Sequence, residues 1–414
     1  MKNGIYFLHI PKCAGTTFRA WIENNYYKDD AIGFWDDISV IKTPPSVLKS
    51  KHCISSHSGW GLMEHLADTH RVVTVLRDPI ERTISSYRFI QQITGHALNK
   101  LAHSVDTLEF FQHPTVRRCM ANGQTRQLAF SSMKNTIEIQ SLTGTLMQHD
   151  HEKKLIDDFD KNMLQTAIGS ISKVDFLGTS ENINQLVLSM CDFYGWYPPN
   201  NLPKLNVTHA EFTANVTSEV IEEIKSINEK DIILYEKFAR DGVSGKTTPL
   251  QRNEVIRKFE VAMQSATPRS DFRFDFESPL SGEGWYGREQ EHGGWIVRWT
   301  GPEASSSLYL RLDPSINHAI TLMASSYLHE IMDGIEIFAN DRKLNMSFIQ
   351  LESPAGCKRV IKTAIDSTVL STRDGLLEFR IQLPYTMIPH ELSSTDPDRR
   401  ALGIYVHWLD FTRA

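Results

Sequence analysis

The stretch that decides the fold is Ile5–Phe18, IYFLHIPKCAGTTF. Residues 5–10 are a short apolar run rich in β-branched and aromatic side chains, which predicts a buried strand. Pro11 ends this strand, and Gly15 provides a backbone that can turn tightly. Apolar residues recur at helical spacing from Phe18 onward, so a helix is predicted directly after the loop.

The loop between this strand and helix carries Lys12, and Thr16 and Thr17 add hydroxyl groups as the helix begins. A cation beside a helix N-terminus presents positive charge and backbone N–H groups to an anion. The alternative is an ordinary strand-to-helix turn with a surface lysine. A Walker A loop is excluded, because its lysine follows the glycines, whereas Lys12 precedes Gly15.

A second anion-binding motif follows Arg71–Leu76, RVVTVL, the clearest strand of the sequence. Arg77 stands at its carboxyl end, where open α/β sheets bind their ligands. Asp78 suits an N-cap, and a helix is predicted over residues 79–92. Ser85 lies two turns into that helix, so its hydroxyl and the Arg77 guanidinium can share one phosphate. The alternative is that Arg77 pairs with a structural carboxylate.

Further short strands are predicted at residues 51–56 and 174–178, with a loop over 26–50 and a helical pattern over 217–240. Strands that alternate with helices indicate a three-layer α/β domain with a mostly parallel sheet. The first domain is therefore predicted to span residues 1–245, and we expect it to fold without the rest of the chain.

The pattern changes after the linker-like segment Asp241–Pro249, DGVSGKTTP. Residues 246–270 are predicted to be linker and one charged helix. From Phe272 the apolar period is two, with Ile404, Val406 and Trp408 as the last alternating set. This pattern predicts an antiparallel β-sandwich over residues 271–414.

Composition excludes several classes of protein. The 414 residues carry a net charge of −6, so no global basic field suggests nucleic acid as a partner. The five cysteines are scattered without a CxxC pair, which favours a reducing compartment and argues against a zinc site. The first strand begins within a few residues of Met1, and no apolar run approaches the ~20 residues of a membrane span. We expect a soluble, cytoplasmic protein.

IPKCAGTTF at residues 10–18 and RDPIERTISSY at residues 77–87 resemble the two nucleotide-binding signatures of the sulfotransferases. The resemblance covers about residues 1–240 and is greatest to the heparan sulfate 2-O- and related carbohydrate sulfotransferases. It implies a P-loop-like parallel sheet, the sulfotransferase fold. It also implies the donor 3′-phosphoadenosine 5′-phosphosulfate (PAPS). The family's Golgi members carry an N-terminal anchor that this sequence lacks, which implies a bacterial-type cytosolic enzyme.

The resemblance assigns a role to each of the two motifs. Arg77 and Ser85 are implied to hold the 3′-phosphate of the donor. Cys13-Ala14 replaces the Thr-Gly or Thr-Ala of many relatives, a mild change that leaves the role of the loop backbone intact. FLGTSENI, residues 176–183, resembles a segment behind the family's site, and Glu181 matches its acid. The residues implied to hold the 5′-phosphosulfate are Lys12, Cys13, Ala14, Gly15, Thr16 and Thr17.

His57 lies in SSHSGW, after a predicted strand, where the resembling enzymes carry a catalytic histidine. An ordinary pKa near 6.5 suits a general base for a sugar hydroxyl. Lys12 is implied to neutralise charge on the departing phosphate. Two alternatives stay open: His52 as the base, or His57 as a structural loop residue.

Two further groups of residues have two interpretations each. Arg126, with Asn122 and Gln124, is a candidate to bind an acidic acceptor or the nucleotide, or is part of a solvated loop. Four aromatic residues of the second domain are candidates to stack on sugar rings, which would make that domain carbohydrate-binding, or to form the core. They are Trp285, Tyr286, Trp295 and Trp299.

These patterns predict an enzyme that transfers a sulfuryl group from PAPS to a hydroxyl of a carbohydrate or glycoconjugate. No metal, nucleic acid or membrane span is expected. One alternative is a P-loop-type kinase of a nucleotide or small molecule, for which the Walker A lysine and a magnesium-binding acid are not in place. The other is a non-catalytic glycan-binding protein.

Overall fold

The computed structural model describes residues 2–143, 150–202, 215–239, 250–291, 294–352 and 356–414. The chain divides into two compact units. The first comprises Met1–Arg19, Asp30–Leu186 and Asn206–Pro249, and the second comprises Ala20–Asp29, Val187–Leu205 and Leu250–Ala414. The predicted linker at residues 241–249 lies outside the described residues, and the predicted domain limit at residue 245 stays a prediction.

Five described strands of the first unit form one parallel sheet in the order β2-β3-β1-β4-β5. Their neighbours pair in register, with Ile5 of the first strand beside both Cys53 and Arg71. The strands are β1 Gly4–Leu8, β2 Ala31–Phe34, β3 Cys53–Ser56, β4 His70–Leu76 and β5 Phe176–Thr179.

The parallel arrangement brings three loops to one edge of this sheet. The Lys12 loop follows β1, His57 follows β3, and Arg77 follows β4. Because β3, β1 and β4 are adjacent and parallel, the carboxyl ends of all three lie side by side. The fold therefore collects the predicted site residues at one edge.

Helices connect and flank these strands. The N-terminal cap of α5 is as predicted, since Asp78 Oδ1 accepts hydrogen bonds from the backbone N–H groups of Ile80 and Glu81, both at 2.9 Å. The helices are α1 Gly15–Asn24, α2 Asp37–Lys42, α3 Pro45–Ser50, α4 Met63–Leu66, α5 Pro79–Gln92, α6 Asn99–Ser104, α7 Thr107–Gln112, α8 Pro114–Met120, α9 Gly123–Ala129, α10 Met133–Thr143, α11 Asp150–Ile171, α12 Ile183–Tyr194, α13 Ser218–Ile227 and α14 Glu229–Ala239; 3₁₀ turns span Lys28–Asp30 and Gly59–Leu62.

One prediction of secondary structure in this unit is wrong. The predicted loop over residues 26–50 contains β2, α2 and α3, short elements whose exposed sides gave no apolar period. The helical pattern predicted over 217–240 corresponds to two helices, which meet at Asn228. The buried side chain of Asn228 donates to Thr83 Oγ1 and accepts from the backbone N–H of Asn122, so the break anchors the helix pair to the core.

The second unit contains two antiparallel sheets. One has the order β13-β14-β10-β16-β8-β7, with β6 also paired to β16, and the other has the order β12-β11-β15-β9. The strands are β6 Phe272–Phe274, β7 Glu289–Gln290, β8 Ile296–Trp299, β9 Ser305–Arg311, β10 His318–Ser326, β11 Glu336–Ala339, β12 Arg342–Lys343, β13 Ser347–Leu351, β14 Cys357–Ile365, β15 Leu376–Gln382 and β16 Tyr405–Arg413. The helices are α15 Arg252–Gln264, α16 His329–Asp333, α17 Ser367–Ser371 and α18 Pro389–Leu392.

Apolar side chains from both sheets form one core. Leu322 on β10 and Leu409 on β16 belong to the same buried cluster as Leu308 on β9 and Phe379 on β15. The two sheets thus share the apolar faces that the period-two pattern predicted. No described helix of the chain is long and apolar enough to cross a membrane.

The alternation predicted for the last strand breaks down at a β-bulge. The register of β16 against β10 shifts so that Met323 opposes Trp408 and Ala324 opposes Val406, which leaves His407 as the extra residue. Beyond the bulge Leu409 is in the core, and Trp408 is partly exposed. The prediction that Trp408 shares the inward face of Ile404 and Val406 is therefore wrong.

Candidate active site

The loop after β1 has two non-glycine residues in the left-handed backbone region, Lys12 at φ 70° and Ala14 at φ 59°. Such conformations are strained and concentrate at functional sites, and alternating backbone hands can turn successive N–H groups toward an anion. Gly15 has another role than the predicted turn, since it is the first residue of α1. A β-carbon there would overlap the His9 imidazole, so glycine is required by packing.

The Lys12 side chain has an aromatic ring and a second cation near it. Its Nζ is 4.2 Å from the centre of the Phe89 ring. Burial, together with the nearby Arg77 guanidinium, lowers the pKa of Lys12 to about 8. Lys12 therefore remains charged at neutral pH, and a bound anion would offset its electrostatic repulsion by Arg77.

Arg77 is joined directly to the Lys12 loop. Its Nη1 donates to the carbonyl oxygen of Lys12 at 3.2 Å. Its Nη2 lies 3.6 Å from Glu81 Oε2, so part of the structural-carboxylate alternative holds as well. Glu81 is largely exposed, and an exposed ion pair of this kind contributes only about 0–1 kcal/mol, so it can yield to a phosphate.

Ser85 lies on the face of α5 that carries both cation contacts. Glu81, Ser85 and Phe89 are four residues apart and so share one helix face. Arg77 contacts the first of these residues and Lys12 the third. Within the described part of the chain, no group hydrogen-bonds the Ser85 hydroxyl. The two predicted motifs therefore meet along this face.

Gln124 ties the two motifs together from behind, a role that the sequence analysis missed. Its side chain is fully buried. Its Oε1 accepts from the backbone N–H of Arg77 at 2.9 Å and from Cys13 Sγ at 3.5 Å, and its Nε2 donates to the Arg77 carbonyl at 2.9 Å. One amide thus fixes the backbone at the end of β4 and the Cys13 side chain of the Lys12 loop.

The other polar residues of this segment serve the structure. Arg126 donates to the carbonyl oxygens of Arg118, Cys119 and Ala121, so its guanidinium is directed at backbone. The backbone N–H groups of Gln124 and Thr125 donate to the buried carboxylate of Asp231. Residues 122–126 thus form neither a solvated loop nor an exposed binding surface.

His57 forms a pair with His9, another residue that the sequence analysis missed. His57 Nε2 lies 3.2 Å from His9 Nδ1, and the rings meet edge to face. Burial, with a smaller contribution from Arg19, lowers the pKa of His57 to about 4, so the ordinary value near 6.5 that the sequence suggested is wrong. Burial, with His57, Arg19 and Lys12 nearby, lowers the pKa of His9 well below its usual range. Both imidazoles are therefore neutral near pH 7, and each has a nitrogen lone pair.

A hydrogen-bonded turn holds His57 in place. Tyr6 donates its hydroxyl hydrogen to the carbonyl of Gly59 at 2.7 Å, and Ser58 Oγ donates to Asp37 Oδ1 at 2.5 Å. Gly59 has φ 62°, and a β-carbon there would overlap the backbone carbonyl of Gln127. The alternative base, His52, precedes β3 and so lies at the opposite end of that strand from His57. Its Nδ1 is 3.4 Å from Asp30 Oδ1.

Trp35 covers the histidine pair. Its ring lies edge to face with His57 at 5.2 Å and with His9 at 5.9 Å, and the Arg19 guanidinium stands 4.3 Å from it. Its side chain is nevertheless 54% exposed. An exposed indole beside a histidine pair provides a flat surface for an incoming ligand.

Glu181 stabilises the start of α5. Its Oε1 accepts from the backbone N–H of Asp78 and from Ser180 Oγ, and its Oε2 accepts from the Tyr235 hydroxyl. Burial alone would raise the pKa of Glu181, but these hydrogen bonds lower it overall. Glu181 is thus an ionised acceptor that positions the residue after Arg77.

Among known protein families, the sequence model of the sulfotransferase family matches residues 1–238, more than half of the chain. The chain belongs to the sulfotransferase family. The match covers both motifs, the His9–His57 pair and Gln124, and ends before the β-rich part of the second unit. A search of curated proteins finds no match to this chain.

Proposed function

We propose that this sulfotransferase moves a sulfuryl group from PAPS to a hydroxyl group of a carbohydrate or glycoconjugate. The proposal rests on one observation: two cationic motifs are joined beside a neutral histidine pair. The Arg77–Lys12 hydrogen bond and the buried Gln124 amide join them. PAPS has two phosphate-bearing ends, and a donor of that kind needs two anion sites at a fixed separation. The heparan sulfate 2-O-type acceptor that the sequence resemblance suggests stays a prediction.

The proposed donor site divides between the two motifs. Lys12 and the loop residues Cys13–Thr17 hold the 5′-phosphosulfate, with backbone N–H groups and one cation. Arg77 and Ser85 hold the 3′-phosphate, with a guanidinium that offers forked donors and a hydroxyl. The fit is supported by the strained Lys12 and Ala14 backbone and by a lysine pKa that a bound anion would raise.

In the proposed reaction the acceptor oxygen attacks sulfur as the bond from sulfur to the phosphate oxygen breaks. A lone pair of His57 takes the hydroxyl proton, and Lys12 stabilises the negative charge that grows on the departing phosphate. The products are the sulfated acceptor, 3′-phosphoadenosine 5′-phosphate (PAP) and a proton. The low pKa of His57 keeps it unprotonated, and thus able to accept, at neutral pH.

A carbohydrate acceptor is supported by Trp35. A sugar ring has a flat face of C–H groups that packs on an indole, while its hydroxyl groups remain directed at the neighbouring His57. The exposed Trp35 ring provides such a platform within contact of the proposed base.

The test is transfer of labelled sulfate from PAPS to a panel of neutral and uronate-containing polysaccharides. His57→Ala should reduce transfer by about 10²–10⁴-fold while the affinity for PAP stays nearly unchanged. His52→Ala, at the other end of the same strand, is the matched control and should keep its activity. Near-normal turnover by His57→Ala, or absence of transfer to the whole panel, would contradict the proposal.

A further inference from the structure

The second unit has a surface cavity of about 360 Å³ that the proposed sulfuryl transfer does not use. All its lining residues belong to the β-rich part of the chain, among them Arg273, Trp295 and Trp408. The volume is within the range of about 300–1,000 Å³ that is typical of small-ligand sites.

The cavity has its origin in the pairing of β16. The end of this strand pairs with β6, where Asp410 opposes Arg273, and its start pairs with β8, where Val406 opposes Arg298. His407 and Trp408 lie between these two ladders, at the β-bulge, and neither ladder includes them. The gap between β6 and β8 leaves an opening over these two residues, and Trp408 faces it.

Trp295 forms a flat apolar wall of the opening. It directly precedes β8 and is 57% exposed, whereas the nearby sequence aromatics Trp285, Tyr286 and Trp299 are buried. Those three therefore belong to the core, and Trp295 is the one of the four predicted platform residues that can stack on a ligand. Exposing an indole leaves a large apolar surface in water, which a stacked ligand would cover.

The positive charge at the cavity is already paired. Arg273 binds Asp410 through two hydrogen bonds of 2.6 Å, and its guanidinium lies 4.5 Å from the Trp408 ring. Two lining carboxylates, Asp275 and Glu277, remain after this pair. Asp275 is held in place by the backbone N–H of Glu277.

His407 adds no positive charge. Burial, with Lys358 nearby, lowers the pKa of His407 to about 4, although Glu291 acts in the opposite direction. Its Nε2 lies 3.0 Å from Ser325 Oγ and its Nδ1 lies 3.5 Å from Glu291. The lining therefore has an excess of negative charge near pH 7.

We propose that this cavity binds a neutral oligosaccharide. A sugar ring stacks on Trp295, and its hydroxyl groups donate to the carboxylates of Asp275 and Glu277, which accept strong charge-assisted hydrogen bonds. The excess negative charge disfavours sulfated or uronate-rich chains, and the exposed Trp295 indole suits the apolar face of a neutral sugar ring. The site holds a glycan without reacting with it, so it goes beyond the proposed transfer.

The experiment is calorimetric titration of the full chain, without nucleotide, by four neutral probes: maltopentaose, cellopentaose, mannopentaose and chitopentaose. We expect at least one to bind, and Trp295→Ala to weaken it by about tenfold or more, the scale of an aromatic anchor. Trp295→Phe should retain most of the binding. The matched control is Phe348→Ala, which removes an aromatic side chain of similar exposure, 58%, from β13 of the same sheet.

Three outcomes of this titration would overturn the proposal. These are the absence of binding by all four probes, binding that Trp295→Ala leaves intact, and binding of a heparin pentasaccharide or a lysine pentapeptide that Trp295→Ala abolishes. Binding should also persist in His57→Ala and with saturating PAP. Loss of binding in Trp35→Ala would instead assign the sugar to the candidate active site. A failure of sulfate transfer with Trp295-dependent binding retained would count against the proposed function alone.

Discussion

His57 Nε2 lies 3.2 Å from His9 Nδ1, with the ring centres 4.5 Å apart. One hydrogen occupies this contact because both imidazoles are neutral, and a donating His57 Nε2 leaves the lone pair on His57 Nδ1. His9 is itself buried against Gly15 and stacks on Phe7, so it has little freedom to move. The first strand thereby fixes the proposed base as well as the anion-binding loop.

We predict that His9 acts as a positioning residue. His9→Phe keeps the ring but removes the hydrogen bond, and should lower kcat by about tenfold, the scale of one such bond, with the PAP dissociation constant unchanged. His9→Asn restores a polar atom near the position of Nδ1 and should recover part of kcat. Equal kcat for wild type and His9→Phe would show that the contact does not orient His57.

The lowered pKa of Lys12 predicts an alkaline limit to donor binding. Burial and Arg77 disfavour the charged lysine, so it loses its proton as pH rises past about 8, and PAP affinity should fall there. Lys12→Arg keeps its charge throughout this range, so its PAP affinity should not fall at alkaline pH. Calorimetry across the alkaline range measures both. If the PAP affinity of Lys12→Arg falls with rising pH as it does in the wild type, a group other than Lys12 titrates.

We predict that Gln124 couples the two motifs. Gln124→Leu leaves the backbone N–H and carbonyl of Arg77 without their partner, so it should lower the free energy of unfolding by about 1–3 kcal/mol and weaken PAP binding. Thr125→Val is the control, because it removes a buried hydrogen bond to Asp231 from the same helix. The control should lose stability yet keep its PAP affinity. Equal losses of affinity in both variants would argue for a general folding effect.

Trp35 should act on the acceptor and not on the donor. Trp35→Ala is expected to raise KM for a carbohydrate acceptor by about tenfold, with PAP affinity unchanged, because the exposed ring adjoins His57. Ile38→Ala removes an exposed apolar side chain from the neighbouring helix α2 and should leave both constants as they are. Steady-state kinetics with the acceptor varied makes the comparison.

The sequence predicts the parts of the site that follow strong strand patterns. Lys12, His57 and Arg77 each lie just beyond a predicted strand, so the parallel sheet alone brings their loops to one edge. His9 was within the quoted stretch, but its position at the end of an apolar run gave no sign of a contact with His57. Trp35 belongs to a segment whose short elements lack a clear period.

Other features depend on contacts that are distant in sequence. Gln124 meets Arg77 from 47 residues away, and no local pattern distinguishes it from a surface glutamine. The bulge at His407 reverses the facing of Trp408, and a period-two pattern has no means of showing one inserted residue. The four-residue aromatic pattern could not separate Trp295 from three core residues, because exposure is decided by the fold.

We propose above all that two joined anion sites recognise a nucleotide with phosphates at both its 3′ and 5′ ends. The most direct measurement is calorimetric comparison of PAP with ADP, which carries no 3′-phosphate, on wild type and on Arg77→Ala. We expect the wild type to bind PAP much more tightly than ADP, and Arg77→Ala to lose about 1.5–3 kcal/mol of PAP binding with ADP binding little affected. Equal affinities of the wild type for PAP and ADP would contradict it.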